Sequence, residues 1–256
     1  MKILITKAKK ILAKNKTMTK YLVILLTLLV FTSCDKILYE NGVPPRGYDT
    51  KDFSVDDFSR IELNNAFFVT VVKGSASKVS VKGSGDDIDD LEVTVTNGKL
   101  DIRYNKRIRI KQLKRYKMEI EVTTPTITEI DAKSASDTEI SGFGTLSEFT
   151  ARVSGASTLR LNNAITSLVA NISGASKIVL PMEVKKIDAE ISGASTLDAF
   201  DGNSTEVFLE LSGASKAEVT ASTTLSVKAS GASKVKYKGD AKVTEDLSGG
   251  SKVTKE

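Results

Sequence analysis

The 256-residue chain has no histidine, no tryptophan, a single cysteine, four prolines and only 6% aromatic residues. Without histidine there can be no Ser-His-Asp triad, no Cys-His dyad and none of the imidazole-bearing zinc sites. One cysteine cannot close an intramolecular disulfide, so the fold must rest on its apolar core. Any metal chemistry would have to be all-oxygen, and no cofactor is expected. Long amphipathic helical periodicity is also missing. Scarce aromatics leave few platforms for sugars, and no column of acids offers the two positioned carboxylates a glycosidase needs. Glu206 and Glu210 lie close in sequence, but such pairs are common on solvated strands. The chain is therefore not expected to be an enzyme.

What is present begins with a biased N-terminus. Residues 1–20 hold seven lysines (Lys2, Lys7, Lys9, Lys10, Lys14, Lys16 and Lys20) and no acid. The apolar run Tyr21–Phe31 (YLVILLTLLVF) and then Thr32, Ser33 and Cys34 follow. A basic segment, a short apolar segment and small residues form a secretory signal peptide over 1–33. The run is too short to span a bilayer as a helix. Met18 opens a compact signal of its own and is an alternative start. The stretch FTSC resembles the lipobox of bacterial lipoproteins, which implies that Cys34 is lipidated and becomes the mature N-terminus. Stable anchoring needs two or more acyl chains. Taking seven lysines from 37 basic residues leaves 30 against 32 acids, so the mature charge is −2. The basic pI belongs to the signal, and no nucleic-acid partner is expected. Residues 34–52, with Pro44 and Pro45, read as a lipidated tether.

From Phe53 onward the chain alternates apolar and polar residues in short runs rich in Val, Ile and Thr, such as Leu91–Val95 and Met118–Val122. This is the pattern of half-buried strands. Asn97-Gly98 between two such runs signals a hairpin. Residues 53–130 are read as an N-terminal β part with hairpin-like, irregular strands.

Residues 131–256 are a repeat. Ser-Gly-Ala-Ser stands at 154–157, 173–176, 192–195, 212–215 and 230–233, with Ser-Gly-Gly-Ser at 248–251. Lys133-Ser134-Ala135-Ser136 is a degenerate first copy. The alanine position advances by 18 to 21 residues per copy. Apolar residues recur at fixed offsets on both sides, for example Val153, Ile172, Ile191 and Leu211 before the tetrad, and Leu159, Ile178 and Leu197 after it. A fixed period with short strands is a solenoid signature. At roughly 3.3 Å per residue, 19 residues trace about 60 Å, one turn of a parallel β-helix. Turns stacked about 4.8 Å apart superimpose identical residues, so the tetrad reads as a tight corner where glycine supplies a positive φ. The serines there can bond backbone groups or one another. The expectation is an all-β, parallel β-helix with turns of 18–21 residues.

The segments FSRIELNNAFFVTVVKG (58–74), VTVTNGKLDIRY (93–104), MEIEVTTPTITEIDAKSASDTEI (118–140) and the tetrads together resemble the bacterial putative auto-transporter adhesin, head GIN domain family. That resemblance implies a β-helical, Bacteroidetes-type lipoprotein of the cell envelope. It implies no catalytic residues.

Two charged clusters remain. Asp86, Asp87, Asp89 and Asp90 are the one candidate for an all-oxygen Ca²⁺ site, but their spacing is not that of an EF-hand loop. A solvated acidic loop with Ile88 turned inward is the preferred reading. Lys106, Arg107, Arg109, Lys111, Lys114, Arg115 and Lys117 partly alternate with apolar residues, which suggests a hairpin with one cationic face suited to polyanions. An exposed hairpin whose charges discourage edge pairing is the plain alternative. The functional expectation is a lipid-anchored envelope module, outer-membrane in location, that binds a glycan or protein. The alternative is a structural component that self-associates as a homo-oligomer, and a polysaccharide-degrading β-helix enzyme ranks last. A ligand is expected to meet the strand faces or the 106–117 segment rather than the tetrads.

Overall fold

The computed structural model describes residues 47–105 and 115–256. The signal segment, Cys34, most of the tether, Lys106, Arg107, Arg109, Lys111 and Lys114 lie outside the described residues.

Residues 43–256 form one compact unit. Seventeen strands follow in order: β1 (Tyr48–Ser54), β2 (Arg60–Leu63), β3 (Phe68–Lys73), β4 (Lys78–Ser84), β5 (Leu91–Thr96), β6 (Lys99–Tyr104), β7 (Glu119–Thr124), β8 (Glu129–Ala132), β9 (Asp137–Val153), β10 (Thr158–Ile172), β11 (Lys177–Val179), β12 (Val184–Ile191), β13 (Thr196–Leu211), β14 (Lys216–Ala229), β15 (Lys234–Lys238), β16 (Lys242–Leu247) and β17 (Lys252–Lys255). One five-residue helix, α1 (Gly85–Asp89), joins β4 to β5. The strands coil into a parallel β-solenoid of about seven turns of about 19 residues.

The repeat becomes columns. Phe149, Leu168, Ile187, Val207, Leu225 and Val243 are register partners from turn to turn, as are Val153, Ile172, Ile191, Leu211, Ala229 and Leu247. On the other side of the corner, Thr138, Leu159, Ile178, Leu197, Ala217, Val235 and Val253 form a third column. Leu159, Ile178 and Leu197 are fully buried. Burying each such side chain is worth about 1.5–3 kcal/mol, and the columns together are the core. A fourth column, Ala151, Ala170, Ala189, Leu209 and Val227, ends on Glu245. Among the described residues β16 and β17 each pair on one side only, with β14 and β15.

The tetrad glycines are needed twice over. All six copies hold glycine at φ +66 to +82°. A Cβ on Gly193 would also sit 2.5 Å from the carbonyl oxygen of Gly174 one turn below. That oxygen already accepts the Ala194 N–H at 2.8 Å, and the same bond recurs at the corners from Ala175 to Gly250. In the degenerate first copy, Ser134 and Ala135 adopt φ +60° and +66° without glycine.

The two serines of a tetrad differ. The last one is buried in every complete copy from Ser157 to Ser233. Ser157 donates its hydroxyl to the Ser154 carbonyl at 2.9 Å and accepts the Ser136 N–H at 3.2 Å. Ser215 donates to the Ser212 carbonyl, and Ser215 and Ser233 share a hydroxyl contact at 3.3 Å. The first serine faces outward.

The N-terminal part does not stack in chain order. β2 lies between β6 and β8, and β3 between β7 and β9, all parallel. The first turn in sequence is thus enclosed between two later ones. β4 runs antiparallel between β1 and β7, and β5 antiparallel on β6 through Asn97-Gly98, both at positive φ. These antiparallel strands form the N-terminal end of the stack. The fold also starts before Phe53: β1 begins at Tyr48, inside the stretch read as tether. Its residues are exposed except Phe53, so it carries no alternation to read. It is held by backbone pairing with β4.

Candidate functional site

The acidic quartet and the end of the basic run meet. Arg115 donates from Nη1 to Asp87 Oδ1 at 2.8 Å and to Asp90 Oδ2 at 2.6 Å. The Tyr116 backbone N–H donates to Asp87 Oδ2 at 2.9 Å. The Arg115 guanidinium also lies 4.1 Å from the ring centroid of Tyr104, which packs on buried Phe67. Burial and the nearby Asp87 carboxylate push the Tyr104 hydroxyl above its ordinary value. Asp87 and Asp90 are therefore buried partners of a cation, not members of a solvated loop, because α1 folds them under the segment that carries Arg115. Ile88 is inward, as its place between acids suggests. Asp86 and Asp89 lie on the outer side of α1. Among the described residues no three carboxylates are grouped to hold a metal.

A second charged cluster ties the enclosed turn to its neighbours. Glu62 on β2 accepts from Lys99 on β6 and, at 3.0 Å, from Lys133 beyond β8. Lys133 also pairs with Asp131 at 2.8 Å. The hydrogen bond from Lys99, followed by that from Lys133, holds the Glu62 carboxyl at about 2.

Two open grooves of about 500 Å³ each lie on the strand surface. One crosses β1, β4, β7, β3 and β9. Register stacks Lys82, Glu119, Phe68 and Asp137 in one row, and Ser80, Glu121, Thr70 and Glu139 in the next. Phe68 is 45% exposed at its centre. The Lys117 ammonium sits 4.8 Å from the Phe68 ring and 2.6 Å from Glu119 Oε1. Of the predicted cationic residues, Lys117 is thus in a groove and Arg115 is used internally. Phe68 was legible as outward, since Val69 and Val71 alternate inward and Phe67 with them, but an outward aromatic in a strand is easily passed over.

The other groove follows the corner of the solenoid. Its floor is the outward first serine of successive tetrads, and its wall is the preceding outward column: Asn171, Glu190, Glu210, Lys228 and Asp246. Glu206 and Glu210 stand four residues apart on β13, about 13 Å along the strand, and Glu206 does not line this groove.

Antiparallel strands closing one end of a parallel β-solenoid, with shallow polar grooves on rigid strands, define the class: an all-β repeat protein with surfaces suited to binding. The chain belongs to the family described as putative auto-transporter adhesin, head GIN domain, which matches residues 57–241. Solved structures share the fold. A putative adhesin from Bacteroides fragilis has 19% identity and a TM-score of 0.70, covering 83% of this chain and 97% of that one. A putative adhesin from Parabacteroides merdae has 14% identity and a TM-score of 0.68, covering 81% and 95%. A protein from Parabacteroides distasonis described as a putative lipid binding protein has 16% identity and a TM-score of 0.66, covering 84% and 99%. No curated protein matches the chain in sequence.

Proposed function

We propose that the chain is a cell-envelope lipoprotein, exported by residues 1–33 and anchored through lipid on Cys34, whose solenoid is a non-enzymatic adhesin-like module for a glycan or protein ligand. Family membership supports an adhesin-like role. The observation that carries the reading is Phe68: an exposed aromatic held on a central strand, in a groove bordered by Lys117, Lys82, Glu119 and Asp137. Aromatic rings on rigid strands lose little entropy when they bind and dominate contact energies. Paired cations and carboxylates around them supply orientation. Lys117, the last residue of the predicted cationic run, lines this groove.

The tether sets the display. Thirteen residues separate Cys34 from β1, a reach of at most about 45 Å.

The test uses bacteria expressing the full chain and purified mature protein on a panel of glycans and matrix proteins. Binding should fall at least about ten-fold in Phe68→Ala, and Cys34→Ala should move the protein from membranes to the soluble fraction. Unchanged binding in Phe68→Ala, or retention of Cys34→Ala in membranes, overturns the corresponding half of the reading.

A further inference from the structure

We propose that the corner groove binds a linear glycan carrying amino groups, laid along the solenoid axis. This rests on the reading of the chain as a binding module and names a second site and its ligand class.

The floor consists of Ser173, Ser192, Ser212, Ser230 and Ser248, one per turn. Adjacent rungs are about 4.8 Å apart, so five rungs span roughly 19 Å. Ser230 touches the Leu211 carbonyl at 3.5 Å, and the other four hydroxyls make no hydrogen bond to protein among the described residues. They contrast with the last serine of the tetrads from Ser157 to Ser233, whose hydroxyl is spent on the corner. The four free hydroxyls, Ser212, Ser192 and Ser173 on one side of Ser230's rung and Ser248 on the other, can both donate to and accept from a polyol.

A peptide fits this floor poorly. β-Augmentation needs free backbone donors and acceptors, whereas the corner backbone is already bonded from turn to turn, as in Ala194 N–H to Gly174 O and Ala232 N–H to Gly213 O. An extended pyranose chain presents hydroxyls at a spacing close to one rung and needs no backbone partner.

The wall selects the charge. Glu190, Glu210 and Asp246 oppose the single ammonium of Lys228, a net −2. Glu190 and Glu210 are register partners, and like charges directly opposite on neighbouring strands repel. Lys228 reaches Glu210 at 4.0 Å, and no ion pair to Glu190 is formed among the described residues. An ammonium seated between Glu190 and Glu210 relieves that repulsion, while a polyuronate or sulfated chain adds to it. This groove therefore has the opposite preference to the cationic 106–117 segment.

The test is calorimetric titration of the mature protein with glucosamine oligomers long enough to cross the five rungs, at mildly acidic pH where their amines are protonated. The N-acetylated oligomer and a galacturonate oligomer of equal length are the comparison arms. The amino oligomer should bind about ten-fold or more tightly than the N-acetylated one, and the galacturonate should not displace it. Glu190→Gln/Glu210→Gln, which keeps size and lies on the exposed wall, should remove the preference, while Phe68→Ala leaves it intact. Equal binding of all three oligomers, no binding of the amino oligomer, or a preference that survives the double variant overturns the proposal. If the panel ligands still bind through the Phe68 groove in that case, the broader reading stands; if wild type binds nothing on either test, both fail.

Discussion

Replacing Gly193 by alanine should be among the most damaging single-methyl changes this molecule can suffer. Two costs add. A non-glycine residue at φ +74° pays about 1–2 kcal/mol for the left-handed region. The new Cβ would then stand 2.5 Å from the Gly174 carbonyl oxygen. That oxygen cannot retreat freely, because it accepts the Ala194 N–H at 2.8 Å, a bond worth about 0.5–1.5 kcal/mol net. With about 1–2 kcal/mol more for the displacement of the stacked corner, the total is about 3–5 kcal/mol. For a domain of this size that lowers Tm by roughly 6–20 °C. The neighbouring sites give a graded control. Gly174→Ala and Gly231→Ala meet carbonyl oxygens at 2.4 Å and should match it. Gly155→Ala meets Ser134 N at 3.0 Å, in a copy that has no glycine, and should cost less. Gly250→Ala has its nearest neighbour at 3.6 Å and no positive φ, and should be close to neutral. Urea denaturation followed by circular dichroism gives the midpoints; an unchanged slope keeps the comparison to native-state cost. If Gly193→Ala falls within 1 kcal/mol of Gly250→Ala, the argument that carbonyl stacking dictates the tetrad glycine is wrong.

Arg115→Ala strips the cation from Asp87, whose side chain is 3% exposed, and from Asp90. Breaking such a pair costs about 3–5 kcal/mol; with Arg115 itself 26% exposed, the low end is expected by thermal melting, and a loss under 0.5 kcal/mol would show that the cluster is solvated. Glu62 gives a pH signature. Its carboxyl is lowered from 4.5 to about 2, so its stabilisation is fully present above pH 4.5 and disappears as pH falls toward 2. Partner lysines that are 40% and 37% exposed screen the interaction to about 1–2 kcal/mol. Glu62→Gln should therefore be less stable by that amount at neutral pH and equal to wild type near pH 2, and parallel denaturation curves across that range would refute the assignment.

The regular half of the fold could be read almost directly, because register and sequence period coincide. Residues at the same offset from each tetrad, such as Leu159, Ile178 and Leu197, are the same residues that stack. The N-terminal half could not. Nothing in residues 58–74 says that β2 and β3 will be covered on both sides by strands 40 to 70 residues later in the chain, since each strand's alternation marks its buried face but not its edge partners. The Arg115–Asp87 pair was visible only as two separate runs of charge, 28 residues apart. The corner groove was hidden for a local reason. The tetrad contains two serines of identical type, and only the left-handed turn between them sends one inward and the other to solvent.

Every tetrad-bearing turn of this molecule is a template for the next, with the same corner and the same row of amides that a growing fibril offers its incoming subunit. Glu245 changes the terms at the far edge. It occupies the place where Val227, Leu209 and the alanines before them face the interior, so any polypeptide laid on β16 in register must seal a carboxylate away from water. The last turn thereby carries its own brake on polymerisation at that edge, and it consists of one charged residue in a column otherwise built of hydrocarbon.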